Sequence, residues 1–366
     1  MEKIYNVNWI DGMKINKSHF VHNDRRNRFL STNLLDTLSR SYQYGILPSI
    51  NIGKKPLIQI EDGFIVLNYC DALTRAGDLI HIVKESNLKF DLKDITPELA
   101  SNESLFVLVS VDHDQQVAFG VPDPKEMPPR QPFSHAKYFI TVIPLDRIHT
   151  AEFANSFTVV GQLIKKFDNY EIDENFIPPS YEILSSSNLL DRYLIIEEVL
   201  SEIGQNATQV VQNARSKKRR GEINDLAENT FYLMERVVYF LAENMNKIRT
   251  IYKEESPIYL FSFLNSFARV IITALNCLKS VDREALLRYY ESHLGLQPHQ
   301  FESDIKSLAQ IEFDNMNLNK NFAEADKYMD TLRSFVRKAI NLEYHSVERV
   351  DVLNEKVVKK SKLDIF

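Results

Sequence analysis

The sequence predicts an α+β fold, an N-terminal β-sandwich followed by a C-terminal helical bundle. Three observations predict it. Before Pro178-Pro179 the apolar residues come in short runs rich in Val, Ile and Phe; after it they recur at helical spacing; and five prolines crowd the stretch between two of the short runs. The expected division is a β-rich domain over 1–180, a helical bundle over 181–345 and a short tail over 346–366.

Taken in chain order, residues 24–38 carry Phe29, Leu30, Leu34, Leu35 and Leu38 at helical spacing, the one helix expected in the β-rich half. Residues 57–60, Asp62-Gly63 and residues 64–67 read as a hairpin, because Asp-Gly supplies the positive φ of a tight primed turn. The runs 105–111 (LFVLVSV), 138–143 and 157–163 suit strands buried on both faces or in a sandwich core. Pro122, Pro124, Pro128, Pro129 and Pro132 exclude regular structure and mark a long loop between two strands.

In the second half Ile196, Leu200, Ile203, Ala207, Val210 and Ala214 are spaced four, three, four, three, four, which is a bundle seam. Arg215 and Lys217 to Arg220 then complement a helix C-terminus, with Gly221 just past the end. A second helix is expected over 223–252, with Met234, Val237, Leu241, Met245 and Ile248 on one face. Ser256-Pro257 starts the next, Ser as a hydrogen-bond acceptor and Pro at a position whose N–H is unused. Residues 260–278 are apolar almost all round, including Leu260, Phe263, Phe267 and Ile271. A helix of this kind needs several neighbours, and three copies packed about an axis supply them. Helices over 282–294, 298–311 and 322–342 complete the bundle, the last with Tyr328, Leu332, Phe335, Val336 and Ala339 inward, and the Lys-rich end 355–366 is expected to fray.

Composition narrows the function. The 366 residues are 44% hydrophobic with a net charge of −6, which supports a real core and disfavours a general nucleic-acid binder. Two distant cysteines make no disulfide framework, the N-terminus lacks a signal-peptide run, and no continuous apolar stretch reaches the length of a membrane span. The expectation is a soluble cytoplasmic protein with no cofactor, no nucleic acid and no direct membrane insertion.

Little catalytic chemistry is visible. His19 and His22 are half of a metal motif, with no further ligand near them in sequence, and read as packing residues. Asp112-His113-Asp114 reads as a polar exit from a strand, since neighbours on a strand point to opposite faces. There is no phosphate-cradling glycine loop and no Gly-x-Ser-x-Gly elbow among only 10 glycines. Cys277 reads as a small core residue. No catalytic, metal or cofactor-binding residue is expected, and the protein is not expected to be an enzyme.

The segment VNWIDGMKINKSHFVHN, residues 7–23, holds the only Trp of the chain. Trp9, Asp11, Gly12, Met13, His19 and Phe20 resemble the N-terminal signature of the TssK family of type VI secretion baseplate subunits, although Asp11 stands where Glu is usual and Lys17-Ser18 where Pro-Gln is common. Phe176-Ile177-Pro178-Pro179, the SSSNLL stretch 185–190 and Ser256-Pro257-Ile258-Tyr259-Leu260 are similar to further family segments, the last with Ser for His and its Tyr one position early. The resemblance covers about the first 280 residues.

It implies a structural adaptor: a homotrimer whose β-sandwich shoulder docks on the wedge subunits TssF and TssG, whose helices form a stalk, and whose far end meets a membrane-complex component at the inner face of the envelope. The short remainder after residue 342 leads to the expectation that the family's C-terminal head is missing, as suits a Bacteroidetes-type system. The six signature residues are the candidates for the wedge interface; Ile196, Leu200, Ile203, Val210, Leu260, Phe263, Phe267 and Ile271 are the candidates for bundle and trimer packing. Trp9 is either an interface anchor or a cover for the sandwich core of its own chain. A phage-tail receptor-binding or chaperone-like sandwich-and-bundle protein is the second class that fits.

Overall fold

The computed structural model describes residues 5–38, 42–48, 57–100, 102–144, 147–148, 156–167, 169–220 and 224–342. Helix α1 (Lys17–Leu38) opens the chain. Among the described residues nine strands follow: β1 (Gly45–Ile46), β2 (Leu57–Glu61), β3 (Phe64–Leu73), β4 (Leu79–Ile82), β5 (Leu88–Asp91), then the one-turn helix α2 (Pro97–Ala100), then β6 (Ser104–Phe119), β7 (Phe133–Ile143), β8 (Phe157–Lys166) and β9 (Asn169–Ile172). Six helices come after them among the described residues: α3 (Ser187–Arg219), α4 (Asp225–Thr250), α5 (Ile258–Asn276), α6 (Ser280–Leu294), α7 (Pro298–Ala309) and α8 (Leu318–Ala339).

The strands make two antiparallel sheets. In the first, β3 is the spine: its start pairs with β2 and β5, its end with β1 and β4. Asp62 and Gly63 join β2 to β3 with φ of +50° and +83°, the primed turn the sequence predicts. The second sheet has the order β7-β6-β8-β9. Strand β6 explains why LFVLVSV is apolar without alternation. Leu105, Val107 and Val109 face the first sheet and share a core with Ile65, Leu67 and Ile80. Phe106 and Leu108 point the other way, into a second core with Tyr44, Phe157, Phe176 and Met316. Both faces are buried, so both need apolar side chains.

Each helix of the bundle buries a face in one continuous core. Helix α3, 33 residues and about 50 Å long, packs on α4 and α8, and α5 packs on α4 and α7. The aromatic rings interlock at the centre: Phe240 stacks on Phe267 at 5.4 Å, and Tyr328 meets Phe267 edge-on at 6.4 Å.

The two halves join at a compact knot around Pro179. The Ile46 N–H donates to the Pro179 carbonyl at 2.7 Å, the Tyr181 N–H donates back to the Ile46 carbonyl at 2.9 Å, and Ile46 pairs with Ser180 as a parallel bridge. Gly45 allows this approach: at φ +115°, a Cβ there would lie 2.2 Å from the Pro179 oxygen. The buried Asn315 amide ties three segments together, donating to the Tyr44 carbonyl at 2.9 Å and the Ser180 carbonyl at 3.4 Å while accepting from the Ser180 N–H. Asn319 accepts the Ile177 N–H at 2.8 Å, and Asn188 donates to the carbonyls of Glu174 and Phe176.

Several expectations need correction. Helix α1 starts at Lys17, not residue 24. Ser256 does not cap α5 with its side chain; its hydroxyl is turned to the Tyr42 carbonyl at 3.5 Å. Cys277 is exposed, because α5 stops at Asn276 and the chain turns into α6. Residues 112–114 are not a strand exit: β6 runs on to Phe119, with a register irregularity between Asp112 and Gln116. Helix α5 is long and apolar enough to cross a membrane by length and composition, although Ser262, Asn265, Ser266 and Arg269 interrupt its apolar run; in the fold it is a core helix, with Leu260, Phe263, Phe267 and Ile271 at most 5% exposed. Those four side chains are packed among helices of its own chain. Gly221 and the tail beyond Leu342 lie outside the described residues.

Candidate interaction surface at the N-terminal hook

Residues 5–16 fold back along the first turns of α1 as a hook. Two turns build it. Ile10 to Met13 close a turn in which the Met13 N–H donates to the Ile10 carbonyl and Gly12 takes φ +80°, the value that position of a type II turn requires. Asn16 then caps α1, its side-chain oxygen accepting from the Ser18 N–H at 3.0 Å and from the Ser18 hydroxyl at 2.5 Å. His19 replies: its Nδ1 accepts the Asn16 N–H at 3.3 Å, as the third residue of a capping box does. This cap is why the helix starts seven residues before the apolar pattern suggests.

The hook is pinned by rings. Trp9 lies 6.0 Å from the His19 ring, edge-on, and 6.3 Å from Phe20, while His22 Nε2 bonds the Tyr5 carbonyl at 2.7 Å. Both histidines are thus occupied in local structure, and among the described residues no cluster of three or more His, Cys, Asp or Glu forms a metal site.

Trp9 is 49% exposed and belongs to neither sandwich core, so it does not cover the core of its own chain. None of residues 5–35 is buried. Tyr5, Ile10, Ile15, Phe20, Val21, Leu30 and Leu34 are exposed alongside Trp9, a concentration of apolar surface at this end of the chain. Of the signature residues, Trp9, His19 and Phe20 are brought together; Asp11, Gly12 and Met13 form the turn that places them. Sequence reasoning missed Tyr5, Ile10, Ile15 and Val21, whose signal is apolar residues scattered where no period collects them into a core.

The other eight candidates, Ile196, Leu200, Ile203, Val210, Leu260, Phe263, Phe267 and Ile271, are all buried in the bundle of one chain.

The root of α1 rests on the sandwich beside a small polar cluster. Thr32 and Leu35 lie against Gly77 in the β3–β4 connection. Next to it Asp78, 8% exposed, is bonded by His113 Nε2 at 2.7 Å. Burial works to raise the Asp78 pKa, but hydrogen bonds from His113 and Ser156 and the nearby charges of His113 and Arg28 outweigh it and hold the carboxyl below its usual range. The Ser156 hydroxyl and the His113 ring thus converge on the one carboxylate. The Arg28 charge on α1 links the arm to this cluster.

The fold is similar to that of a chain in the type VI secretion TssK–TssF–TssG baseplate subcomplex seen by cryo-electron microscopy, with TM-score 0.51, 11% identity, and coverage of 92% of this chain and 99% of that one. It is similar also to a crystal structure of TssK, with TM-score 0.53, 13% identity, and coverage of 94% of this chain and 71% of that one. The chain has a TssK-like fold. No protein-family model and no curated protein sequence matches it, so the likeness is one of structure. The TssK-like arrangement of sheets followed by helices is the α+β order the sequence predicts.

Proposed function

We propose that the chain is a structural component of a type VI secretion baseplate, docking through its N-terminal hook on wedge subunits of the TssF and TssG kind. The observation that carries this reading is the TssK-like fold over more than nine-tenths of the chain. The hook supports it independently, since Trp9, Phe20 and their exposed neighbours offer a rigid aromatic anchor with no core function of its own. The role is structural rather than catalytic, and the place of work is the cytoplasmic face of the envelope, where the assembled protein links the wedge to a membrane-anchoring component.

In this reading the working unit is a homotrimer. The contact between copies uses surface residues such as Leu194 and Ile195 of α3, which are 43% and 50% exposed, and not the eight buried seam residues. The division into a sandwich over 1–180 and a stalk over 181–345 is part of the same proposal.

The test is co-expression with the TssF- and TssG-like proteins of the source organism. A trimer by light scattering that co-purifies with both, and loses both on Trp9→Ala with Phe20→Ala while its circular dichroism is unchanged, supports the reading. A chain that forms no complex with either protein refutes it.

A further inference from the structure

The hook and α1 differ in charge from the rest of the molecule. Residues 5–35 contain Lys14, Lys17, Arg25, Arg26 and Arg28 against Asp11 and Asp24, a net charge of +3 in a chain whose total is −6. Arg28 lies close enough to Asp78 for its charge to act on that carboxylate at the root. Lys14, Lys17 and Arg26 have no ion-pair partner among the described residues, and Lys14 and Lys17 are exposed.

The helix sorts these charges around an apolar stripe. At 3.6 residues per turn, Phe20, Leu30 and Leu34 fall within an arc of about 80°; Lys17 lies about 60° past one edge and Arg26 about 40° past the other, with Asp24 between Phe20 and Lys17 as the one acid on the flanks. From Phe20 to Leu34 the stripe is about 21 Å long. Its middle is not apolar: Asn23 and Asn27 fall inside the same arc. A lipid surface would leave those amides without partners, whereas a protein groove can bond them.

We propose that the surface gripped by this arm is a protein groove with an apolar floor and an acidic rim. This rests on the docking role proposed above and adds the chemistry of the partner. Phe20, Leu30 and Leu34 fill the floor, Asn23 and Asn27 meet polar backbone in it, and Lys14, Lys17 and Arg26 meet carboxylates on its edges. Rim charges of this kind act on the rate of encounter and on salt dependence, while the apolar stripe holds the complex.

The experiment uses the full chain and the TssF- and TssG-like proteins of the source organism, with affinity measured at low and high salt. The dissociation constant is expected to rise about tenfold between ~50 and ~300 mM NaCl, and by a similar factor for the triple charge reversal Lys14→Glu, Lys17→Glu, Arg26→Glu at low salt. Circular dichroism of that variant stays that of the parent, since none of the three is buried. The full-chain variant Trp9→Ala with Phe20→Ala, its circular dichroism unchanged, separates the two readings. If binding survives it, the docking role itself fails. If it abolishes binding but salt and charge reversal leave the affinity within about twofold, docking stands and the acidic rim is wrong. Flotation of the partner-free chain with phosphatidylglycerol vesicles, lost on the charge reversal, would overturn the groove in favour of a membrane surface.

Discussion

Alanine at Gly45 and alanine at Gly204 should move stability in opposite directions. Gly45 sits at φ +115°, where an L side chain is strained by about 1–3 kcal/mol. Its new Cβ would also lie 2.2 Å from the Pro179 oxygen, 2.3 Å from its carbon and 2.6 Å from the Ser180 nitrogen, all backbone atoms with no rotamer to escape through. Relief requires the β1 and Pro179 segments to part by about 1 Å, which breaks the 2.7 Å bond from Ile46 to Pro179 and adds an overpacking cost of about 1–3 kcal/mol. The expected loss is about 2–6 kcal/mol, a large share of the stability of an ordinary domain. Gly204 lies inside α3, where a Cβ would meet only the Leu241 Cδ1 at 3.4 Å, an ordinary contact. Alanine there should gain about 0.5–1 kcal/mol from helix propensity. Urea unfolding followed by far-ultraviolet circular dichroism reads both. A Gly45→Ala variant within about 1 kcal/mol of the parent, or two shifts of the same sign, would refute the account of the knot.

Phe267→Ala should cost about 3–5 kcal/mol and lower the unfolding midpoint at every protein concentration, because the ring is buried within one chain; a pure loss of oligomer with an unchanged monomer would contradict this. Trp9→Ala should change stability by no more than about 0.5 kcal/mol in the same urea assay, since half the ring is in solvent and it fills no core. Asp78 has a folded-state pKa below its ordinary 3.8, so its contribution is present in full above that value and lost as pH falls through the lowered one; the stability gap between the parent and Asp78→Asn should narrow in acid titrations below about pH 4 and stay constant from pH 5 to 7. His113→Ala leaves that carboxylate short of a partner and should destabilise by about 1–3 kcal/mol at neutral pH, as measured by thermal unfolding.

Elements whose cause is local were legible in the sequence. The Asp62-Gly63 turn needs two positive φ values and the dipeptide supplies them. The seam from Ile196 to Ala214 is buried throughout, because helix period alone decides which side of α3 faces its neighbours. What failed depended on distant residues. Ser256 reads as a cap until Tyr42 offers its carbonyl across 214 positions. His113 reads as the end of a strand, but Asp78, 35 residues away, draws its ring inward while β6 continues. Strands β1, β4, β5 and β9, of two to four residues, are too short to show a period at all. At the hook, the exposure of Trp9 was open in the sequence for the same reason: whether an aromatic ring finds a core depends on what the chain brings to it.

The positions of the four sequence segments that resemble the TssK family have a common physical logic. Three of them meet at one place. Phe176 to Pro179 carries the backbone that Gly45 and Ile46 touch; Asn188, from the SSSNLL stretch, ties the carbonyls of Glu174 and Phe176; and Ser256 and Tyr259 meet Tyr42, the latter ring to ring at 6.3 Å. The fourth is the hook. A core tolerates exchange among apolar residues of similar volume. A knot where one backbone crosses another, or a turn that aims a tryptophan, depends on particular side chains: a glycine with no Cβ, a proline carbonyl at a fixed angle, an amide that both donates and accepts. Substitutions at the knot should therefore alter the angle and stability of the joint between sandwich and bundle, while substitutions at the hook should leave the fold intact and change only what it grips.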